Sequence, residues 1–357
     1  MSKEFTRRTV MKRAMQGGIY AAPVILSSGR VSAAAQLPSG TPLPVTGLPG
    51  YQVSLFANGT GARTKPDSIT FDSQFIYVGY QNTTAADGSD GGPSTIVMYT
   101  DTGQEVRSFN VQGRCDGLRF NPFTQLLWAT VNEDGNSSLY TIDPNTGTTT
   151  HYTFSAAPHG GGYDDLAFVN NMAFVAASNP SNLTNGINTN PAVAKVVLNG
   201  TTATLTPVLL GNATVTNAMT LQPVTLNLLD PDSMSVDTAG NVVLVSQADS
   251  EIIVIQNAGT TNQPVSVVTV SMQLDDTVWA KATAGRLLVV DAKQNAIYAI
   301  RSTFTIGTVF TEVAPDTGSG LVGTVNLTTG ILTPIANGFT KPTGLVFVPD
   351  GARGPDQ

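Results

Sequence analysis

One short line recurs through this chain and limits what it can fold into: an aspartate, any residue, an apolar residue, any residue, an apolar residue. It is written Asp67-Ser-Ile-Thr-Phe71, Asp116-Gly-Leu-Arg-Phe120, Asp164-Asp-Leu-Ala-Phe168 and Asp232-Ser-Met-Ser-Val236. Asp276-Thr-Val-Trp-Ala280 is a fifth copy, with Asp275 as the competing register residue. Thr343-Gly-Leu-Val-Phe347 is a sixth, with threonine in place of aspartate. The marked positions lie 49, 48, 68, 44 and 67 residues apart. Repeats of roughly 40 to 50 residues, each worth about four strands, are the period of propeller blades.

The rest of each repeat fits that reading. A second apolar line follows the first five copies: Phe75-Ile-Tyr-Val78, Leu126-Leu-Trp-Ala129, Met172-Ala-Phe-Val175, Val242-Val-Leu-Val245 and Leu287-Leu-Val-Val290. Short runs of this kind read as strands covered on both faces. A third line ends at an Asx/Gly hairpin turn, as in Ile96 to Gly103 and Leu139 to Gly147. The expected fold is therefore all-β, a single-domain six-bladed β-propeller, with five and seven as the neighbouring counts. A β-sandwich leaves the repeated aspartate line without a reason, and a β-helix needs a much shorter period. The two long intervals predict insertions, with Ser178 to Pro191 one candidate. Thr308 to Ala314 and Leu321 to Ala336 are expected to supply most of a blade before the last copy. The segment Tyr51 to Ala57 is expected to add a strand to the closing blade.

Composition agrees and excludes some partners. Charged residues are 12% of the chain and aromatic residues 7%, so the core is built mainly from Val, Leu, Ile and Ala. A net charge of -7 argues against nucleic acid, which demands a basic face. With Cys115 the only cysteine, no intrachain disulfide can form.

Residues 1–35 read as an export signal. Thr6-Arg7-Arg8-Thr9-Val10-Met11-Lys12 resembles the twin-arginine pattern; a weakly apolar stretch from Gly17 to Leu26 and a small-residue cleavage site at Ser32-Ala33-Ala34-Ala35 follow. That stretch is too short to span a bilayer, and no other segment approaches membrane length. The expected location is periplasmic or secreted, with the twin-arginine export machinery as a transient partner. Residues 36–50 read as a Pro/Gly-rich linker, 51–350 as the propeller and 351–357 as a tail.

In a four-stranded antiparallel blade, the start of the innermost strand shares a face with the end of the second. Asp67, Asp116, Asp164, Asp232, Asp276 and Thr343 are thus expected to circle the channel mouth. Asn82, Asn132, Glu133, Asn179, Gln247 and Asp291 are expected just outside them, with Cys115 beside one ring aspartate. His159, in Pro158-His-Gly-Gly-Gly162, belongs to a loop leading into another. Five carboxylates about one axis raise one another's pKa values, and an oxygen-rich ring suits a hard cation, Ca²⁺ or Mg²⁺. The competing structural reading is that each aspartate bonds its own turn and locks adjacent blades. His159 is either a plain loop residue or a proton carrier. There is no G-x-S-x-G elbow, H-E-x-x-H, C-x-x-C or dinucleotide fingerprint.

Pro231-Asp232-Ser-Met-Ser-Val236 and Cys115-Asp116-Gly-Leu118 resemble the inner-strand lines of NHL-type propellers and of the senescence-marker/gluconolactonase-like family. That resemblance implies a divalent ion in the channel, held by a Glu, an Asn and Asp residues, which polarises a lactone or ester carbonyl while a carboxylate assists water. It makes Asp232 the equivalent of the family's Asp ligand and base, and Asp67, Asp116 and Asp164 the remaining ligand positions, as Asp where the family has Glu or Asn. Two functions follow as expectations: a metal-dependent lactonase/esterase-like hydrolase acting on a small-molecule substrate, or a non-catalytic propeller that binds a ligand or protein. The fold alone does not choose between them.

Overall fold

The structure, a computed structural model, describes residues 43–155, 157–315 and 318–351. The expected export signal lies outside these residues, and no helix occurs among them, so none is present that could cross a membrane. Two strands, β1 (Thr46–Gly47) and β2 (Gln52–Asn58), precede the repeats and pair only late in the chain. The first repeat folds as β3 (Pro66–Phe71), β4 (Ile76–Tyr80), β5 (Pro93–Tyr99) and β6 (Glu105–Gln112), one antiparallel sheet. The second is β7 (Cys115–Asn121), β8 (Leu126–Val131), β9 (Ser138–Ile142) and β10 (Thr149–Phe154). The third is β11 (Leu166–Val169), β12 (Met172–Ala176), β13 (Pro191–Asn199) and β14 (Thr202–Leu210). Their outer strands β10 and β14 join in parallel through Thr153↔Thr202 and Phe154↔Ala203.

A hairpin of β15 (Thr214–Asn217) and β16 (Pro223–Thr225) then attaches to the outer edge of the fourth sheet. That sheet is β17 (Pro231–Val236), β18 (Val242–Ser246), β19 (Glu251–Ile255) and β20 (Val265–Thr269). This hairpin and the Ser178–Pro191 connection together account for the long third interval.

The remaining strands are β21 (Leu274–Trp279), β22 (Gly285–Asp291), β23 (Ala296–Arg301), β24 (Val309–Val313), β25 (Gly320–Val325), β26 (Leu332–Phe339) and β27 (Pro342–Pro349). Here the sequence reading is corrected. β21 pairs with β24, not with β22, and its sheet continues through β25 and β26 to β1. The line Leu287-Leu-Val-Val290 lies in β22, which pairs instead with β27, while β23 pairs with β2. The 67-residue interval is thus two interleaved sheets, and no insertion. Local apolar pattern cannot tell which partner a both-face-buried strand takes. As expected, the Tyr51–Ala57 segment does enter the closing sheet, so the N-terminal β2 and C-terminal β27 tie the ring together. The expected linker is corrected too: Val45 is buried in the core and Thr46–Gly47 pairs with Ala336 and Asn337.

The inner strands β3, β7, β11, β17, β21 and β27 touch one another in that order and back to β3, which encloses a central channel. Six apolar clusters fill the spaces between neighbouring sheets. Each middle strand therefore has a core on both faces. This explains why β4, β8 and β18 are continuous apolar runs without alternation. The architecture is a β-propeller.

Candidate functional site

Every inner strand carries the same irregularity where it begins. Pairing jumps by one extra residue between Pro66 and Ile69, Cys115 and Gly117, Pro231 and Met234, Leu274 and Thr277, and Pro342 and Gly344. At β11 both sides of Ala176 are used, its carbonyl by Asp164 N–H and its N–H by Asp165 C=O. A bulge adds a residue and resets the period-two alternation, so a polar pair can turn into the channel before the strand returns to apolar packing. The paired positions are Asp67-Ser68, Asp116-Gly117, Asp164-Asp165, Asp232-Ser233, Asp275-Asp276 and Thr343-Gly344, and the channel cavity is lined by members of them. By this register Asp275, not Asp276, is the fifth ring residue.

The second residue of each pair lies deeper, where Arg119 crosses the channel. Its Nη2 donates to Asp165, to the Met234 carbonyl at 2.7 Å and to both Asp276 oxygens at 3.2 Å. Asp276 also accepts the Thr277 N–H at 2.7 Å and the Leu345 N–H at 3.2 Å. Its oxygens are taken, and the expectation that Asp276 is a metal ligand is corrected: it anchors the channel floor. Burial raises the Asp165 carboxyl to about 6 even though Arg119 opposes the rise.

Nearer the mouth, three carboxylates converge. Glu133, Asp164 and Asp232 each bring an oxygen to within 4.8 Å of the others, and all three are buried. Oxygens about 2.3 to 2.6 Å from one Ca²⁺ stand at most about 5 Å apart, so this set fits a hard cation's shell. Burial, then the charges of Asp232 and Glu133, hold the Asp164 carboxyl far above the usual carboxylate range, and Asp164 and Asp232 share a hydrogen bond. A carboxyl pair that must keep a proton when alone is a good place for a divalent ion.

The other expected ligands are engaged differently. Asp116 meets Arg114 Nε at 3.0 Å and accepts from Gln81 Nε2 at 3.1 Å and Glu133 N–H at 3.1 Å. Burial pushes Asp67 up to about 8, with Arg114 and Lys341 pulling it down. The backbone shows blade locking as well: Ser68 Oγ donates to the Asp116 carbonyl, Thr130 Oγ1 to that of Asp164, and Thr343 Oγ1 to that of Pro66 at 3.3 Å.

Several expected mouth residues brace the loops or the ring. Asn82 accepts the Thr64 N–H and donates to the Pro93 carbonyl at 3.0 Å, while Asn132 accepts the Arg114 N–H at 2.9 Å. Asp291 accepts four backbone N–H groups, from Lys293, Gln294, Thr340 and Lys341. Asn179 bonds Asp134, and Gln247 donates to Asp275 at 2.8 Å. Asn82, Asn132 and Asn179 have positive φ, a backbone state Asn tolerates better than most residues. Cys115 is fully buried in the apolar cluster between the first two sheets, away from the channel. His159 is placed elsewhere too. It lines a separate cavity of about 120 Å³, and its Nε2 meets the Gly162 carbonyl at 2.7 Å.

Arg114, Arg119, Asp165, Gln81 and Lys341 line the channel without having been singled out from sequence. The doublets Asp164-Asp165 and Asp275-Asp276 were the available signal for two carboxylates per strand. Nothing local marked Arg119. The channel space holds about 40 Å³, room for an ion and one or two waters, since each water needs about 10 to 15 Å³ of such space.

The sequence matches no protein-family model and no curated protein. Among solved structures it is similar to a Bacteroides caccae protein of unknown function, at 11% identity and TM-score 0.47, over 79% of this chain and 86% of that one. It is also similar to a candidate 6-phosphogluconolactonase from Bacteroides uniformis, at 13% identity and TM-score 0.46, over 82% and 91%. A catalytically inactive virginiamycin B lyase from Staphylococcus aureus matches at 10% identity and TM-score 0.37, over 70% and 99%. Likeness this distant speaks neither to the site nor to its chemistry, and the propeller class stands on the closed ring of inner strands.

Proposed function

We propose that the protein is an exported, divalent-cation-dependent hydrolase of the lactonase/esterase kind, working at the channel mouth. The observation that carries this reading is the buried convergence of Glu133, Asp164 and Asp232. Their all-oxygen donor set fits Ca²⁺ or Mg²⁺. When bound, such an ion polarises a carbonyl oxygen and acidifies water. The chain's own groups do the rest. Asp232, buried beside Glu133 and Asp164, takes the proton of the attacking water. Arg119, tied to Asp165 and Asp276, closes the floor. Because only about 40 Å³ is enclosed, the scissile carbonyl must enter from the mouth with the remainder of the substrate outside. His159 has no part in the reaction, being in another cavity. Export by the twin-arginine route to the periplasm or beyond is proposed on Arg7-Arg8 and the signal that follows.

The test combines metal analysis of the purified protein, melting with and without chelator, and turnover of a lactone and aryl-ester panel. A bound divalent ion is expected, with a melting point that chelator lowers in the wild type and leaves unchanged in Glu133→Gln. At a hundredfold excess over Kd the ion contributes about 2.7 kcal/mol. No ion and no chelator shift would refute the reading. An ion without turnover would leave a non-catalytic ligand-binding propeller.

A further inference from the structure

The position two residues before each ring residue is occupied, around the channel, by Lys341, Lys65, Arg114, Gly162, Asp230 and Gln273. Three successive sheets thus bring a cation to equivalent places, and the other three bring none. The repeated Thr64-Lys65-Pro66 and Thr340-Lys341-Pro342 lines supply two of them.

Each cation's backbone is clamped. Lys341 N–H donates to Asp291 at 3.2 Å, Arg114 N–H to Asn132 at 2.9 Å, and the Lys65 carbonyl accepts the Gln81 N–H at 3.0 Å. Asn82 fixes the adjoining Thr64, and Lys65 itself has φ of 55°. The loop residues expected at the mouth are therefore what hold these cations there. The three are close enough to repel: partial burial, then Arg114 and Lys341, depress the Lys65 pKa. Neither lysine forms a salt bridge among the described residues. Arg114 meets Asp116 through Nε at 3.0 Å. The ring also loses its carboxylate on this side, where Thr343 follows Lys341. The three cations stand beside Asp67 and Asp116, and Arg114 adjoins Glu133 of the carboxylate triad.

We propose that Lys65, Arg114 and Lys341 form an anion subsite that binds a carboxylate or phosphate group of the substrate beside the Glu133–Asp164–Asp232 cluster. As a substrate subsite it rests on the hydrolase reading; as a binding site it stands apart from it. Lys65 and Lys341, gathered beside Arg114 and without a salt bridge among the described residues, repel until an anion joins them, and charge-assisted bonds to such an anion are the strong kind.

The experiment is an equilibrium titration of inorganic phosphate and, separately, succinate into the full-length protein at constant ionic strength, with divalent cation and again with chelator. Wild type is expected to bind one of them more tightly than chloride, and the tighter one tells phosphate from carboxylate recognition. Lys65→Gln/Lys341→Gln should weaken that binding by about tenfold or more, whereas Lys195→Gln on β13 should leave it unchanged. Lys341→Arg should retain it. Equal binding by wild type and the double variant, or none beyond chloride, would overturn the proposal, including the case in which phosphate binds through the ion alone. Turnover of neutral esters without anion binding would sink this inference only. Anion binding without turnover of any ester would sink the hydrolase reading only.

Discussion

Arg119→Met tests whether the channel floor is an ion-pair network or a passive plug. The guanidinium touches Asp165, both Asp276 oxygens and the Met234 carbonyl, and side-chain exposure is 16%, 7% and 4% for Arg119, Asp165 and Asp276. Methionine keeps most of the volume but leaves two buried carboxylates without the cation they share. Breaking a buried pair from one side costs about 3 to 5 kcal/mol. The loss must depend on pH. Asp165 titrates at about 6 in the folded protein, against about 4 when unfolded. A carboxyl with a raised folded pKa binds extra protons in the native state across that window, so its contribution falls as pH rises through it. Removing Arg119 pushes the folded value higher and extends the window upward. At pH 8 the full 3 to 5 kcal/mol is expected; at pH 5 Asp165 is protonated and the loss is expected to fall to about 1 to 2 kcal/mol of hydrogen bonding and packing. Urea unfolding at both pH values, in chelator, reads this directly, with m unchanged as the check on a common transition. Adding Asp165→Asn to the variant should recover more than about 1 kcal/mol at pH 8. Equal losses at both pH values, or a loss below about 1 kcal/mol at pH 8, would show that the floor is not held by charge.

Two further outcomes follow from single residues. Glu312 on β24 is fully buried, and burial, then Asp275 and Asp276, raises its pKa far above the usual range, against the backbone N–H groups of Asp276 and Gly344. Glu312→Gln, of the same shape and uncharged, should match or exceed wild-type stability at pH 8 and flatten its decline with rising pH; a loss above about 2 kcal/mol in chemical unfolding would contradict this. His159→Ala should lower stability by about 1 to 3 kcal/mol and leave calorimetric cation affinity unchanged, and a tenfold loss of affinity would return His159 to the site.

Much of this molecule is determined within short stretches of chain. Strands buried on both faces read as apolar runs because neither face meets water, and the aspartate line recurs because each inner strand starts with the same bulge. The period, the ring and the presence of carboxylates at the mouth were legible for that reason, as was β2 as a closing strand. Only the tertiary structure decided that β22 leaves β21 for β27, since apolar strands of similar length are interchangeable until the ring closes. It also decided which carboxylates meet. Glu133 reaches Asp164 and Asp232 from the end of a neighbouring second strand, and Arg119 spans the channel to residues 46 and 157 positions away. A one-residue bulge moved the fifth ring position from Asp276 to Asp275. Local pattern records that an aspartate turns inward; what it faces is set by five other strands, and so by the closed ring.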